Sequence, residues 1–291
     1  MSLKKDLTII FVSFYSKNLI EKPIKQIDSS IPILIIENSL DYDLKKKLES
    51  KYSNVKVIIP EKNTGNGGGA NIGLRESKTK FVLYLDIDVE ISHSAIEEMY
   101  LEACKLSNFS ILGPSIEGLD YKKNYYLEKN IFNKVHSMNF ITGCALFFNM
   151  SALKDIGYYD ERIFLYYEEN DLYLRSLKKN YKIYLVENAK IKHFGNQSTD
   201  LIRQEEVEIN RNWHLMWSTF YFHKKHYGLF IAYNKTILKL ISASLKYLLF
   251  IILRKDLDKK IYFARMSGIF NAMIGKDSWF RTNLDKLIDK K

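Results

Sequence analysis

Short apolar runs rich in β-branched residues alternate with segments of helical spacing over the first half of the chain. The pattern predicts strands at Leu7–Phe14, Ile31–Glu37, Val55–Ile59, Phe81–Leu85 and Ser110–Leu112. Between them it predicts helices at Asn18–Gln26, Tyr42–Lys51, Gly68–Ser77 and Ala95–Lys105, the last capped by Ser92. Because strands that alternate with helices pair in parallel, we expect an α/β fold with a Rossmann-like, mostly parallel central sheet flanked by helices.

The second half of the chain is less regular and then becomes helical in pattern. It predicts strands at Asn139–Met150, Tyr181–Val186 and Ala189–His193, a short helix capped by Ser151 that ends before Gly157, and a helix at Glu168–Lys179. From about Gln204 onward the strand pattern stops. We therefore expect an α/β domain over residues 1–203 and a mainly helical C-terminal region over residues 204–291, with the boundary near residues 196–205.

Composition is that of a globular protein with ample material for a core, since 46% of the 291 residues are hydrophobic and 27% are charged. Cys104 and Cys144 stand in different contexts and neither belongs to a CxxC pair, which argues against a disulfide framework or a zinc cluster and favours a reducing cytosol. The apolar run near the amino terminus breaks at Ser13 without a small-residue cleavage site. We interpret it as a strand and not as a signal peptide, and we expect a cytoplasmic protein.

The net charge of +10 is concentrated at one end of the chain. Residues 211–291 contain 16 Lys and Arg but 5 Asp and Glu, whereas the first 210 residues contain 28 and 29. A nucleic-acid-binding protein would carry a basic stripe across its α/β domain, and that domain is nearly neutral. We therefore expect no nucleic acid, and the basic excess predicts an anionic partner surface for the C-terminal region.

Two aspartates stand one residue apart where the Phe81–Leu85 strand ends. Residues i and i+2 of an extended backbone point to the same side, so Asp86 and Asp88 are predicted to be neighbours. Adjacent carboxylates repel each other, and oxygen ligands of this kind suit Mg²⁺ or Mn²⁺ with phosphates completing the shell. The alternative is a pair of solvated acids that merely ends the strand.

A glycine-rich segment, Asn63–Gly73, holds five of the 13 glycines and lies one helix before the aspartates. Glycines allow close backbone approach, so the segment can bring amide groups and a helix N-terminus near a phosphate or sugar; an ordinary turn is the alternative. In a parallel sheet both features share the carboxyl edge, where ligands bind. A nucleotidyltransferase would more naturally carry basic residues here for a triphosphate, and the segment has none.

Other strand ends bring polar groups to the same edge. Ser13 and Tyr15 follow the first strand, and Glu37 and Asn38 follow the second, where they can hydrogen-bond a base or ribose or simply end the strand. His193 ends the last predicted strand. If it faces the aspartates it becomes a third metal ligand; a structural or solvated histidine is the alternative.

Three acids follow an aromatic run and open a predicted helix: Glu168, Glu169 and Asp171. An acidic first turn complements the helix dipole and accounts for them structurally. The functional interpretation is a general base, because a carboxyl group beside other carboxylates and aromatic rings can have a raised pKa suited to taking a hydroxyl proton.

In their order along the chain these pieces resemble the family 2 inverting glycosyltransferases of the GT-A fold, most nearly the bacterial rhamnosyltransferase-like branch. The resemblance covers roughly residues 7–200 and is carried by Glu37–Ser39, Asn63–Gly73, Asp86–Asp88, Thr142–Ala145, Gly157–Glu161, Glu168–Leu172 and His193. It implies a metal-dependent hexosyltransferase of bacterial surface polysaccharide synthesis, which moves a sugar from a nucleoside-diphosphate sugar to a hydroxyl of a glycan acceptor, including one carried on a lipid diphosphate. A non-catalytic, donor-binding relative is the alternative.

The resemblance also implies roles for individual residues. The nucleotide sugar would be held by Ser13, Tyr15, Glu37, Asn38, Asn63, Gly65, Gly67, Gly68, Asn71 and Asp86. Mg²⁺ or Mn²⁺ would be held by Asp86, Asp88 and His193. Glu169 matches the catalytic base, with Glu168 and Asp171 as supporting acids or alternatives, although relatives often carry Asp where this chain has Glu37 and Glu169. The donor sugar, its base, the acceptor and the oligomeric state stay open.

The apolar segment Thr236–Leu253 is interrupted by Lys239 and Lys246, so it does not have the pattern of a transmembrane span. Lys235, Lys239, Ser242 and Lys246 are spaced to form one stripe on a helix. We interpret the segment as an interfacial helix on an anionic membrane, at ~1 kcal/mol per nearby Lys or Arg. A helix packed on the catalytic domain is the alternative. The expected location is therefore peripheral, on the inner face of the membrane.

Overall fold

The computed structural model describes residues 2–119, 126–132, 134–195, 199 and 204–281, so the predicted boundary near residues 196–205 lies mostly outside the described residues. The strands are β1 Leu7–Ser13, β2 Ile33–Glu37, β3 Val55–Ile58, β4 Phe81–Leu85, β5 Val89–Ile91, β6 Phe109–Ile116, β7 Tyr126–Phe132, β8 Val135–Met138, β9 Ala145–Asn149 and β10 Lys182–His193. The helices are α1 Leu3–Asp6, α2 Glu21–Gln26, α3 Tyr42–Lys51, α4 Gly65–Glu76, α5 His93–Lys105, α6 Met150–Ile156, α7 Glu168–Lys178, α8 Gln204–Tyr227, α9 Leu229–Ile252 and α10 Asp256–Met273.

The described strands form one sheet in the order β3-β2-β1-β4-β9-β6-β10-β8-β7, and β5 pairs with the end of β10. Strands β1 to β4 pair in parallel, as do β6 and β10, but β9 runs antiparallel between β4 and β6. The predicted α/β class, with flanking helices and C-terminal helices, is confirmed. The antiparallel strand at the centre was not predicted, because alternation of strands and helices does not reveal which strand is inserted between which neighbours.

Helix α4 packs closely against the first two strands, and glycine is the reason. A Cβ on Gly69 would lie 2.8 Å from the Val12 side chain, and a Cβ on Gly73 would lie 2.7 Å from Ile10. The helix begins at Gly65 and not at the predicted Gly68. Most of the glycine-rich segment is therefore the first turns of a helix, and part of its glycine content serves close helix–strand contact.

Two predictions around β9 are wrong. The strand predicted over Asn139–Met150 is confined to Ala145–Asn149, and the preceding residues follow an irregular path. Asn149, not Ser151, caps helix α6, since its Oδ1 accepts a hydrogen bond of 3.2 Å from the Ser151 amide. A strand pattern read from apolar residues alone missed the close contact that Gly143 makes with the Glu169 side chain.

The two strands predicted at Tyr181–Val186 and Ala189–His193 are one continuous strand, β10. Its register against β6 shifts between Val186 and Lys190, which is the mark of a bulge. Polar residues at the bulge broke the alternation from which the strands were predicted. The continuous strand matters for the site, because it carries His193 to the edge where β5 pairs with it.

The chain divides into two compact units, Met1–Asp160 with Glu169–Asp200, and Glu161–Glu168 with Leu201–Lys291. The first contains the sheet and one large core. The second has a core of its own, formed by Trp213, Trp217, Phe220, Ala232, Ala264 and Ala272. None of the described helices combines the length and apolarity needed to cross a membrane. The assignment of catalytic and membrane-associating roles to the two predicted domains stays a prediction.

Candidate active site

The carboxylates of Asp86 and Asp88 and the imidazole of His193 meet just after β4. One ligand atom from each lies within 4.8 Å of the others, and His193 Nε2 is 3.5 Å from Asp88 Oδ1. Strand β5 brings them together, since its antiparallel pairing sets Val89 opposite His193 and the Phe194 amide donates to the Asp88 carbonyl over 3.1 Å. Within the described part of the chain no other set of three such side chains converges in this way.

The electrostatics of this cluster favour a cation. Desolvation raises the pKa of Asp86 to about 7, and the negative charges of Asp88 and Glu169 push it in the same direction. The hydrogen bond to Asp88 raises the pKa of His193. Two carboxylates and an imidazole are a donor set that suits Mn²⁺ or Mg²⁺ with open positions for phosphate. The residues present therefore fit a divalent metal.

Tyr84 joins this cluster to the glycine-rich helix. Its hydroxyl lies 2.8 Å from Asp86 Oδ1 and 2.7 Å from Asn66 Oδ1. Burial raises the pKa of the Tyr84 phenol well above its usual value, so it keeps its proton as a hydrogen-bond donor. Tyr84 is a site residue that was not predicted from the sequence, although it stands two residues before Asp86 and the two-residue period of a strand places both on one face.

Asn38 holds the start of the glycine-rich helix. Its Oδ1 accepts hydrogen bonds from the Thr64 amide (3.2 Å) and hydroxyl (3.0 Å), and its Nδ2 donates to the Gly65 carbonyl over 3.0 Å. Asn63 Oδ1 accepts from the Gly65 amide over 2.9 Å, and Gly65 has a φ of 78° that favours glycine. The buried Asn38 thus shapes the first turn of α4 by binding its backbone.

Asn71 also makes backbone contacts, deep in the first unit. Its Nδ2 donates to the Tyr159 carbonyl over 3.0 Å, and its Oδ1 accepts from the Tyr159 amide over 2.9 Å. The side chain is fully buried. Gly67 and Gly68 lie in the first turns of α4 nearby, where a Cβ on Gly68 would touch only the Thr64 side chain, at 3.1 Å. The amides of Asn38 and Asn71 therefore bind backbone groups at Thr64, Gly65 and Tyr159, and their predicted contact with a nucleotide sugar stays a prediction.

A buried polar pair lies at the ends of the first two strands. Ser13 and Glu37 are register partners, and Ser13 Oγ and Glu37 Oε2 lie buried without a well-aligned hydrogen bond among the described residues. Glu37 Oε1 accepts hydrogen bonds from the Ser39 amide, over 2.8 Å, and from the Ser39 hydroxyl. Burial raises the pKa of Glu37. Tyr15 is tied to this corner by its amide, which donates to Ser39 Oγ over 3.0 Å. Buried polar atoms that lack a well-aligned hydrogen bond can bind a polar group of a ligand.

Of the three candidate acids, Glu169 lies beside the aspartates. A Cβ on Gly143 would stand 2.5 Å from Glu169 Oε1, so the carboxylate rests against this glycine. The charge of Glu169 contributes to the raised pKa values of Asp86 and, after burial, of Cys144. The Cys144 carbonyl accepts a hydrogen bond of 2.8 Å from the Asp86 amide. Gly143 belongs to the Thr142–Ala145 segment of the family resemblance, but its contact with Glu169 was not predicted from the sequence.

Asp171 has a structural partner. It is fully buried and accepts a hydrogen bond of 2.8 Å from Arg175 Nε, one turn along α7. The Arg175 guanidinium also donates to the carbonyls of Ile156, Gly157 and Tyr158, over 2.6 to 3.1 Å. The pair thereby ties α7 to the end of α6.

Glu168, the first residue of α7, is also buried. Two consecutive residues before it, Tyr166 and Tyr167, have positive φ angles of 65° and 70°. Non-glycine residues in this conformation are strained and are held by surrounding contacts. The Tyr167 ring packs against Phe222 at a centroid distance of 5.0 Å. No feature of the sequence predicts this backbone conformation.

Residues 17–157 match the family model of glycosyl transferase family 2. This segment, 141 of the 291 residues, is similar to the family 2 glycosyltransferases. A low-salt glycan biosynthesis hexosyltransferase of Haloferax volcanii, Agl10, is 27% identical over 198 residues, which cover 61% of this chain and 64% of that protein. The dTDP-rhamnosyl transferase RfbF of Shigella flexneri is 22% identical over 237 residues, which cover 73% and 78% of the two chains.

The fold agrees with this similarity. A mannosyltransferase from Pyrobaculum calidifontis, solved in complex with GDP-Man and Mn²⁺, is similar with a TM-score of 0.56 at 11% identity, over 92% of this chain and 86% of that chain. The expected GT-A fold is therefore confirmed. The chain spans 64% of the length of the Haloferax protein, so this similarity does not by itself establish the activity of the whole protein.

Proposed function

We propose that the protein is a metal-dependent inverting hexosyltransferase, which moves a sugar from a nucleoside-diphosphate donor to a hydroxyl of a glycan acceptor in surface polysaccharide synthesis. The observation that carries the proposal is the convergence of Asp86, Asp88 and His193 beside Glu169 in a chain similar to the family 2 glycosyltransferases. A metal–diphosphate cluster next to a carboxylate is what a single displacement at a nucleotide sugar needs.

The donor side is assigned to the first unit. We assign the diphosphate to Asn63 and to the first turn of α4, which contains Gly65, Gly67 and Gly68, because the N-terminus of a helix favours anions. Ser13, Tyr15 and Glu37 lie at the neighbouring strand ends, where the polar atoms of Ser13 and Glu37 suit the base or ribose. Asn38 and Asn71 support these groups through the backbone contacts described above.

Asp86, Asp88 and His193 would hold Mg²⁺ or Mn²⁺, which supplies positive charge for the departing nucleoside diphosphate. The similar mannosyltransferase was solved with GDP-Man and Mn²⁺. Tyr84 donates a hydrogen bond to Asp86 and fixes its orientation. A carboxylate that is oriented by a buried neighbour needs little rearrangement to bind a cation.

Glu169 acts as the general base in this proposal. Its carboxylate takes the proton from the acceptor hydroxyl while the hydroxyl oxygen forms a bond to the anomeric carbon. The bond from that carbon to the diphosphate oxygen breaks on the opposite face, so the configuration inverts. General-base assistance of this kind contributes ~10²–10⁴-fold to a rate. Glu168 and Asp171 are supporting acids in this proposal, since both lie buried at the start of α7 and Asp171 pairs with Arg175.

A panel of nucleotide sugars tests the proposal. The full chain is incubated with dTDP-, UDP- and GDP-sugars, including dTDP-rhamnose, in the presence of Mg²⁺ or Mn²⁺, and released nucleoside diphosphate is measured. We expect metal-dependent release from one donor, even without an acceptor. Donor binding without release in any acceptor mixture would instead support a non-catalytic nucleotide-sugar-binding protein, and release of pyrophosphate from a triphosphate would support a nucleotidyltransferase.

We also propose that the protein works peripherally at the inner face of the membrane, on an acceptor that includes lipid-linked glycans. Support comes from the basic C-terminal helices and their exposed apolar side chains. Lipid-linked acceptors lie at a bilayer surface, so an enzyme held there meets them at high local concentration. Partition of the full chain onto anionic vesicles tests this association.

A further inference from the structure

Helix α9 has a broad apolar face that the described residues leave open. The helix buries only small side chains, Ala232, Thr236 and Ala243, where it packs with α8 and α10. Large apolar side chains recur at helical spacing on another side, with exposed fractions from 37% to 77%: Phe230, Ile231, Ile237, Leu238, Ile241, Leu245, Leu248, Leu249 and Ile252. We call this set the apolar face. Exposed apolar surface of this extent marks an interaction site.

Cations line one edge of the apolar face. Lys235, Lys239 and Lys246 follow each other along α9, and Arg265 joins them from α10. Lys246 Nζ lies 5.2 Å from the centroid of the Tyr262 ring and the Arg265 guanidinium 5.5 Å from it, so both helices place a cation around one ring. Desolvation lowers the pKa of Lys239, and the positive charges of Arg265 and Lys235 lower it further. We call these four residues the basic cluster.

Among the described residues, the basic cluster has no acidic partner. No ion pair joins any of its members to an acid within the described residues. Helices α9 and α10, with the short link between them, contain eight Lys and Arg but only two Asp. One of these, Asp256, pairs with Lys259 over 2.7 Å at the start of α10. Like charges held together without compensation repel each other, and a partner with several negative charges would relieve that repulsion.

The apolar face and the basic cluster together indicate which kind of partner binds. Free phosphate or nucleic acid would satisfy the cations but would leave the apolar face in water. A second copy of the chain would cover the apolar face but would bring two positively charged helices together. An anionic bilayer offers phosphate groups at its surface and acyl chains just below, which matches cations along the edge of an apolar helix face.

We propose that α9 and α10 form a docking site for anionic phospholipid, in which the apolar face enters the acyl-chain boundary and the basic cluster binds lipid phosphates. The helix lies in the plane of the interface, since its apolar residues run along its whole length on one side. This inference rests on the proposed membrane association and names the residues and the lipid class that produce it.

Vesicle flotation of the full chain tests the site. Vesicles of phosphatidylcholine are compared with vesicles that contain roughly 30% phosphatidylglycerol, and we expect binding to the anionic vesicles that weakens with salt. The double variant K239Q/R265Q removes two cations at about 1 kcal/mol each, so its partition coefficient should fall about 30-fold. Leu238→Asp with Leu245→Asp should abolish flotation, because a carboxylate would enter the apolar boundary twice.

Matched variants control for charge and for exposed apolar area. K25Q/K46Q makes the same charge change at exposed lysines of the first unit, and Leu101→Asp replaces an exposed leucine of α5. Both should float like the original chain. All variants are checked for a cooperative unfolding transition, so a loss of folding is recognised separately.

Several results would overturn the site: equal binding to neutral and anionic vesicles, flotation of K239Q/R265Q like K25Q/K46Q, or binding of inorganic phosphate without binding of vesicles. Concentration-dependent dimers that Leu238→Asp abolishes would show that a second copy covers the apolar face. Donor hydrolysis without vesicles is measured in parallel. If K239Q/R265Q hydrolyses donor normally but no longer floats, the docking site is supported independently of the glycosyl transfer, and a chain that floats without hydrolysing any donor counts against the transfer alone.

Discussion

The Glu169 carboxylate rests against Gly143, in space that any side chain would occupy. A Cβ at position 143 would lie 2.5 Å from Glu169 Oε1 and 2.8 Å from its Cδ. The next residue, Cys144, accepts a hydrogen bond from the Asp86 amide through its carbonyl, at 2.8 Å. Two adjacent residues of one irregular segment thus set the positions of the proposed base and of the first proposed metal ligand.

Gly143→Ala should impair catalysis by displacing Glu169. The added methyl group forces the carboxylate to move, and a displacement of about 1 Å can cost about 10²-fold in rate. We expect kcat to fall by about 10- to 100-fold, with a donor KM close to that of the original protein. Initial rates of nucleoside-diphosphate release give both constants.

A double-variant cycle shows whether this effect passes through Glu169. Adding Gly143→Ala to Glu169→Gln should lower the residual rate only slightly, because the base that the glycine positions is already gone. If the two substitutions lower the rate independently, Gly143 acts in another way, for example on the Cys144 carbonyl and hence on Asp86.

Glu169→Gln should lower transfer by ~10²–10⁴-fold while donor binding with Mn²⁺ is kept, since the amide cannot accept the acceptor's proton. Glu97→Gln is the matched control, because Glu97 is an exposed glutamate on α5. Transfer is measured by nucleoside-diphosphate release, and donor binding by calorimetry. Turnover of Glu169→Gln near that of Glu97→Gln would remove the assignment of the base.

Asp88→Ala should weaken donor binding only when the metal is present. Asp88 is buried beside His193, so its removal takes away one of three converging donors. We expect the gain in donor affinity on adding Mn²⁺ to shrink by about 10- to 100-fold, as is usual for losses around a metal site. Asp43→Ala, at an exposed aspartate of α3, should keep the full gain. An unchanged response to Mn²⁺ in Asp88→Ala would contradict the metal site.

Several helices and strands could be predicted because local pattern determines them. Helix α3 has the predicted bounds Tyr42–Lys51, β4 has the predicted bounds Phe81–Leu85, and Ser92 caps α5 with a hydrogen bond of 3.1 Å to the Ala95 amide. Strong periodicity, a cap and an apolar run are all short-range signals. The three-residue strand β5 could not be found in this way, because it exists through its pairing with the end of β10.

The roles of individual polar residues depend on long-range contacts that sequence does not display. Asn38 and Asn71 are of a residue type that often binds ligands, yet their side-chain amides bind the backbone at Gly65 and Tyr159. Asp171 is of a residue type that can act as a base. Its structural role is recognised only from the folded chain, where its partner Arg175 also donates to the Gly157 carbonyl at the end of α6. A polar side chain can thus be placed near a site from sequence, but what it binds follows from packing.

Asp171→Asn should destabilise the protein more than it slows transfer. The substitution leaves the Arg175 guanidinium without its carboxylate in a largely buried place, and breaking a buried pair in this way costs about 3–5 kcal/mol. Urea unfolding should show that loss, whereas the folded variant should keep a rate within about 10-fold of the original. A stable but inactive Asp171→Asn would make Asp171, and not Glu169, the base.

The stability of the C-terminal unit should decrease as the pH falls below about 6.5, because of His214. This histidine is fully buried, its Nε2 lies 2.9 Å from the Phe280 carbonyl and its Nδ1 3.0 Å from the Ser278 hydroxyl, a pair of bonds that suits the neutral ring. Burial lowers its pKa to about 3. The unfolded chain binds a proton near pH 6.5 that the folded chain does not, so stability is fully present above that pH and is lost toward pH 3, at up to about 1.4 kcal/mol per pH unit.

Tryptophan fluorescence isolates this effect, since all three tryptophans of the chain belong to the second unit: Trp213, Trp217 and Trp279. Urea midpoints are compared at pH 7.5 and at lower pH for the original chain, for His214→Gln and for His93→Gln, whose histidine is exposed. His214→Gln should be less stable at pH 7.5, because it disturbs a packed core, but its midpoint should depend less on pH. His93→Gln should keep the original dependence. Equal slopes in His214→Gln and His93→Gln would show that the buried imidazole is not the group that titrates on unfolding.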